Sequence, residues 1–182
     1  HGIPGVAPDK LVGKLIVVEG ADGSGRSTQI ARLVTWLEGR GHATVQVGLK
    51  RSTLVSEELE QAKKGNILSR STLSLFYATD FADQLENSIL PALKAGFIVL
   101  ADRYVYTAFA RDVVRGVPRR WVRSLYRFAV VPTMAVYFRT PLDVALQRIL
   151  SGRPRLKHYE AGMDLALHPD IQESYKLFQS RI

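Results

Sequence analysis

Residues Gly20-Ala21-Asp22-Gly23-Ser24-Gly25-Arg26-Ser27-Thr28 bring three glycines, a carboxylate, a guanidinium and three hydroxyls into nine positions. That set suits a polyphosphate. Glycine lets the backbone take positive φ and approach a ligand closely, so that successive N–H groups and the positive end of a following helix face anionic oxygens. The pattern G-x-x-x-x-G-K-[ST] is matched at Gly20, Gly25 and Ser27, with Arg26 in the lysine position. Ser27 would offer its hydroxyl to Mg²⁺, an ion that prefers oxygen ligands. Arg26 would reach the β- and γ-phosphates with a planar fork in place of a compact ammonium. A Gly/Ser-rich turn ending a strand is the competing reading.

Such a loop needs a strand before it and a helix after it. Leu15–Val18 is a short apolar run, and Ile30, Leu33, Val34 and Leu37 recur at helical spacing. Three more apolar runs, Ala43–Val47, Phe97–Ala101 and Met134–Phe138, alternate with helical patterns. The expected helices cover Ser27–Glu38, Val55–Lys64, Leu73–Lys94, a pair within Thr107–Ala129, Pro141–Leu150 and Asp170–Arg181. Alternating strands and helices predict an α/β fold with three layers and a parallel sheet.

Composition narrows the class. The 182 residues suit one domain with a full core, and 46% apolar with 23% charged residues is ordinary for a globular protein. There is no cysteine, which excludes disulfides and thiolate metal sites. The apolar runs fall far short of the roughly 18 residues a membrane span needs. Residues 1–13 read as a flexible tail or tag remnant, residues 14–182 as the domain, and the cytoplasm as the expected compartment.

The net charge of +8 suits polyanionic ligands. Much of it lies in Arg111, Arg115, Arg119, Arg120, Arg123 and Arg127, opposed locally by Asp112 alone. A nucleic-acid patch is one reading; a solvated helix face, with Trp121, Val122, Leu125, Tyr126 and Phe128 as its core stripe, is the favoured one.

In open parallel sheets, ligands bind outside the carboxyl ends of the strands. Those ends carry Glu19 and the glycine-rich loop, Lys50-Arg51, Asp102-Arg103, and Arg139. Cations for phosphate oxygens and carboxylates for a metal or hydroxyl are what transfer between two phosphorylated ligands requires. Residues 151–167, with Arg153, Arg155 and Lys157 among Gly152, Pro154 and Gly162, read as a short basic lid over a polyphosphate, or as a surface loop.

These residues resemble the thymidylate kinases, P-loop nucleoside-monophosphate kinases, from about Lys14 onward. The resemblance implies the P-loop nucleoside triphosphate hydrolase fold, with ATP as donor bound by Gly20 to Thr28. It implies Mg²⁺ at Ser27 and Asp102, and Asp22 near the acceptor sugar and the metal. Lys50-Arg51-Ser52-Thr53 is similar to the segment whose arginine, here Arg51, holds the monophosphate. Leu75-Phe76-Tyr77-Ala78-Thr79-Asp80-Phe81 is similar to the segment that carries a base-stacking aromatic, here Tyr77, though Leu73, Tyr77 and Phe81 also fit a core stripe. Asp102-Arg103-Tyr104 with Thr107 resembles the DR[YFH] motif, with Arg103 on the acceptor phosphate. Tyr159-Glu160 resembles the lid signature.

Three departures stand out: Arg26 for lysine, Phe81 where the family carries a base-reading arginine, and an end at Ile182 before the family's further strand and helix. The family also implies a homodimer. The expected reaction moves the γ-phosphate of ATP to a deoxynucleoside monophosphate, dTMP foremost, with catalytic Asp22, Arg26, Asp102, Arg103, Arg153 and Arg155. Acceptor contacts fall to Asp22, Arg51, Tyr77, Phe81, Arg103, Thr107 and Tyr159. The rival readings are another nucleoside or nucleotide kinase, and a nucleotide- or nucleic-acid-binding relative with weakened turnover.

Overall fold

The computed structural model describes residues 10–49, 52, 54–64 and 68–182. Its strands β1 (Lys14–Gly20), β2 (Thr44–Gly48), β3 (Ile98–Asp102) and β4 (Met134–Phe138) form one sheet in the order β2-β3-β1-β4. Every pairing is parallel, as the alternation of runs predicts. The register sets Val18 beside Asp102, Asp102 beside Gly48, and Gly20 beside Phe138. The carboxyl ends of the strands therefore reach one edge together.

Period-two alternation sends successive side chains to opposite faces. Leu15, Val17, Val47, Val99 and Ala101 enter the larger cluster on one face, while Val18 and Leu100 meet Ile30 and Leu37 on the other. Ile30 and Leu37 belong to α1 (Arg26–Glu38), and α2 (Ser56–Lys64) follows β2. The larger cluster is closed by α3 (Arg70–Gln84), α4 (Leu90–Lys94), α5 (Val105–Val114) and α6 (Arg119–Leu125).

The long helix expected over Leu73–Lys94 begins earlier and is not uniform. Ser69 caps α3 by accepting from the Thr72 amide at 3.1 Å. A π-helical turn, Leu85–Ile89, joins α3 to α4. Pro91 follows directly; it donates no amide and its ring crowds the preceding turn, so a wider turn there is the physical solution.

The segment after α7 (Leu142–Gly152) is anchored rather than loose. Leu156 and Ala161 pack with Leu146 and Ile149 of α7 and with Tyr175 of α8 (Ile171–Arg181). Asp170 caps α8 through the amides of Gln172 and Glu173. None of the described helices is long and apolar enough to cross a membrane.

Candidate active site

Glu19 ends β1 with its side chain inside the protein, 8% exposed. A buried carboxylate needs donors. It accepts from the amides of Tyr104 (3.0 Å) and Thr107 (3.2 Å) and from the Thr107 hydroxyl (2.5 Å). Glu19 thus satisfies the first amides of α5 and pins the turn after β3. Arg103 occupies that turn with φ 73°, the left-handed region a non-glycine residue rarely adopts. Its amide is fixed by the Val18 carbonyl at 3.0 Å.

The strained turn aims Arg103 across the edge of the sheet. Its Nη1 donates to Thr107 Oγ1 at 3.0 Å, and its Nη2 donates to Asp22 Oδ1 at 2.7 Å. The other Asp22 oxygen accepts from Arg111 Nη2, also at 2.7 Å. Burial pushes the Asp22 carboxyl up, but the charges of Arg103, Arg111 and Arg26 outweigh it and hold the group far below the usual carboxylate range. The loop carboxylate is an anion shared by two guanidinium groups.

Arg26 is placed differently from the expectation of a side chain reaching for a donor's phosphates. Its Nη1 donates back to the carbonyls of Gly20 (2.6 Å) and Ala21 (2.5 Å) and to Ser24 Oγ (3.2 Å), and its Nε to Asp102 Oδ1 (2.7 Å). It therefore braces the loop from within. Ser27 Oγ donates to the second Asp102 oxygen at 2.7 Å. Gly25 enters α1 with φ 91°, no side chain caps the helix, and no acidic residue occupies its first turn. An uncapped N-terminus behind a glycine-rich loop is a ready anion site.

A cleft of about 960 Å³ opens over these groups. Asp22, Arg26, Tyr77, Asp102, Arg103, Arg153, Arg155 and Tyr159 all line it, so the sequence motifs converge on one space. Tyr77 lines the cleft and is also core: 7% exposed, it packs with Leu59, Leu73 and Tyr159, and its hydroxyl accepts from Lys63 Nζ at 2.9 Å. Arg153 pairs with Glu160 within the segment that follows α7. Thr107 supports Arg103 from a smaller adjoining cavity, which it lines with Glu19 and Gly20. Lys50 and Arg51 lie outside the described residues. Among the described residues no group of three His, Asp or Glu side chains is arranged to hold a metal.

Two expectations are corrected. Phe81, expected at the acceptor, does not line the cleft; it sits 3% exposed in the core, edge-on to Tyr104 at 5.1 Å and to Tyr126 at 5.8 Å. An aromatic side chain without a polar tip gains more from that packing than from a charged cleft. The basic run is likewise not one solvated face. Arg119, Arg120, Arg123 and Arg127 are exposed, but Arg111 and Arg115 turn inward. Arg115, 3% exposed at its side chain, donates to both Asp164 oxygens (2.7 and 3.2 Å) and to the Tyr159 carbonyl (2.9 Å), tying α5 to the segment between α7 and α8.

Arg111, Arg115 and Tyr175 are the residues the motifs did not reveal, and Glu19, read there as a strand-end carboxylate, instead fixes the turn after β3. The Tyr175 hydroxyl donates to the Asp22 carbonyl at 2.6 Å, so α8 holds the loop. A signal for the arginines was present: Thr107, Arg111 and Arg115 recur every four residues, which puts them on one helix face.

The chain matches the family model described as thymidylate kinase over residues 18–179. It is 44% identical to the probable thymidylate kinase 2 of Saccharolobus solfataricus over 170 residues, covering 93% of this chain and 79% of that protein. It is 30% identical to the probable thymidylate kinase of Thermococcus gammatolerans, covering 90% of this chain and 82% of the relative. A bacterial thymidylate kinase, from Bacillus cytotoxicus, is 28% identical, with 91% and 83% covered.

Proposed function

The chain belongs to the thymidylate kinase family, and from that premise we propose that it transfers the γ-phosphoryl group of ATP to dTMP, giving dTDP and ADP. The observation that supports this most is the convergence of two anion-holding groups on one cleft: the loop at the N-terminus of α1, and Arg103 at the end of β3.

In this reading the loop from Gly20 to Thr28 holds the donor phosphates. An oxygen of the dTMP phosphate attacks the γ-phosphorus, the bond to the bridging β–γ oxygen breaks, and ADP leaves. The attacking oxygen is already ionised, so no separate base is required. Catalysis is then positioning and charge stabilisation. Arg103 and Arg51 orient the acceptor phosphate, and Thr107 fixes Arg103. Tyr77 and Tyr159 flank the base. Arg153 and Arg155 bring lid charge to the transferring group, a role worth on the order of 10³–10⁵ in rate where an arginine is supplied as a finger. Arg26 keeps the loop in its binding shape and adds positive charge beneath it.

The residues present fit Mg²⁺, because Ser27 and Asp102 offer adjacent hard oxygen donors of the kind this ion prefers, with waters completing its shell. Bound there, it would offset charge on the donor phosphates. The reading also includes one kinase domain over residues 14–182, a homodimer and a cytoplasmic setting, all three taken from the sequence and the family.

The test is ADP release with dTMP, dUMP, dCMP, AMP and GMP as acceptors. Turnover selective for dTMP is expected. Nucleotide binding with no ADP release for any acceptor overturns the kinase reading. Arg153→Ala and Arg155→Ala should lower kcat more than they raise the KM for dTMP; unchanged turnover in both removes the lid from the mechanism.

A further inference from the structure

From Val113 to Leu142 the chain carries six arginines and no Lys, Asp or Glu. Arg115 turns inward to Asp164, whereas Arg119, Arg120, Arg123 and Arg127 stand exposed along α6 and the turn that follows it. None of those four side chains forms an ion pair or a hydrogen bond among the described residues. Arg119 and Arg123, Arg120 and Arg123, and Arg123 and Arg127 are like-charged neighbours at helical spacing, an arrangement that is destabilising by itself. An anion lying across them removes that cost.

The arginines border a groove of about 770 Å³ between α5, α6 and the connection into β4. Arg120, Arg123 and Arg127 line it beside Tyr106 and Phe109, and no Asp or Glu among the described residues does. A second hollow, of about 540 Å³, shares Tyr106, Phe109 and Arg123 with the first and adds Arg119, again with no Asp or Glu among the described residues in its lining. The groove has no lining residue in common with the cleft over the glycine-rich loop, so its occupant is not a substrate held there.

The walls select the partner by their chemistry. Arginine presents a planar fork that meets phosphate oxygens two at a time and stacks on flat rings, which a lysine ammonium does not. Tyr106 lies where the two hollows meet, tilted against Tyr104 with ring centroids 6.4 Å apart and 42% exposed. A positive groove with an accessible aromatic ring is the combination that takes single strands: cations follow the backbone while a base stacks on the ring. A duplex keeps its bases stacked on one another and has no such face to offer Tyr106.

We propose that the groove between α5 and α6 binds single-stranded nucleic acid, with Arg120, Arg123 and Arg127 on its phosphates and Tyr106 stacking on a base. The site is separate from phosphoryl transfer and does not depend on the kinase reading.

Fluorescence anisotropy with a labelled oligodeoxythymidylate of about twelve nucleotides tests it, at about 50 and about 200 mM salt. The proteins are the unmodified chain, the double variant Arg120→Glu with Arg123→Glu, and Tyr106→Ala. Binding should persist when dTMP and ADP occupy the cleft. The double variant should bind at least about tenfold more weakly, and its plot of log affinity against log salt should flatten by about 1.4, the share of two phosphate contacts on a single strand. Tyr106→Ala should weaken binding about fivefold or more at unchanged salt slope, because stacking is not a charge contact. All three positions are exposed, so urea midpoints should hold and a loss of binding is read at the surface. No oligonucleotide binding at the lower salt, displacement by dTMP and ADP, or binding that survives the charge reversal overturns the proposal. Binding lost on charge reversal but indifferent to Tyr106→Ala overturns the nucleic-acid assignment and leaves a patch for polyanions alone. A dimer that the charge reversal dissociates, with no oligonucleotide bound, makes this face a contact between copies of the chain instead.

Discussion

Asp22 and Arg26 show how single residues set the state of the cleft. Asp22 is ionised in the fold because two guanidinium groups hold it, with its pKa depressed below the unfolded value of about 3.9. A depressed carboxylate contributes stability that is fully present above the unfolded pKa and is lost as pH falls through the folded one. Asp22→Asn should therefore be less stable than the parent by a constant margin between about pH 5 and 8, with the gap closing at pH values below about 4. Urea denaturation at pH 6 and pH 3 measures it; a gap that widens on acidification contradicts the sign. Arg26→Ala strips three hydrogen bonds from the loop and removes the 2.7 Å ion pair with Asp102. Breaking a largely buried pair of this kind costs about 3 kcal/mol, visible as a lowered urea midpoint at unchanged slope.

At the scale of elements, the loop is positioned by helices on three sides. α1 starts from its last glycine, α8 holds the Asp22 carbonyl through Tyr175, and α7 packs directly against Gly23. A Cβ at Gly23 would lie 2.2 Å from the Ala145 carbonyl oxygen, at a φ of +80°. Backbone cannot yield cheaply there, so Gly23→Ala must displace either the loop or α7. The expected outcome is ATP affinity lowered at least about tenfold, read by calorimetry, with stability reduced by roughly 1–3 kcal/mol from overpacking. Wild-type affinity in that variant would mean the loop tolerates a shift that this packing forbids.

The molecule as a whole joins the segment after α7 to its sheet through α5. One helix face carries Thr107, which fixes Arg103; Arg111, which holds Asp22; and Arg115, which holds Asp164 and the Tyr159 carbonyl. Arg115→Met keeps volume and removes the cation that holds Asp164 and the Tyr159 carbonyl. Amide exchange through residues 153–164 should accelerate, with exchange in β1 and β3 changed far less, because local opening needs less free energy than global unfolding. Uniform acceleration across the sheet would instead make Arg115 a part of the global core.

How far the sequence reached depends on the range of the cause. The loop, the four strands and most of the helices were legible, because glycine conformation, period-two alternation and period-3.6 stripes are local properties of the chain. The π-helical turn before Pro91 was missed, since a single proline signals a break without saying how the helix absorbs it. Phe81 was placed at the acceptor because position in a motif was visible and its neighbours Tyr104 and Tyr126 were not.

By itself, the sequence determined a parallel α/β kinase fold with a phosphate-binding loop, and which residue types were available to serve it. Only the tertiary structure decided their partners. Arg26 turns inward to Asp102, Asp22 divides itself between Arg103 and Arg111, and Arg115 crosses to Asp164. The physical reason is that a charge's role follows from which opposite charge lies within hydrogen-bond reach. Those partners stand 76, 81, 89 and 49 positions apart along the chain, where no local pattern records them.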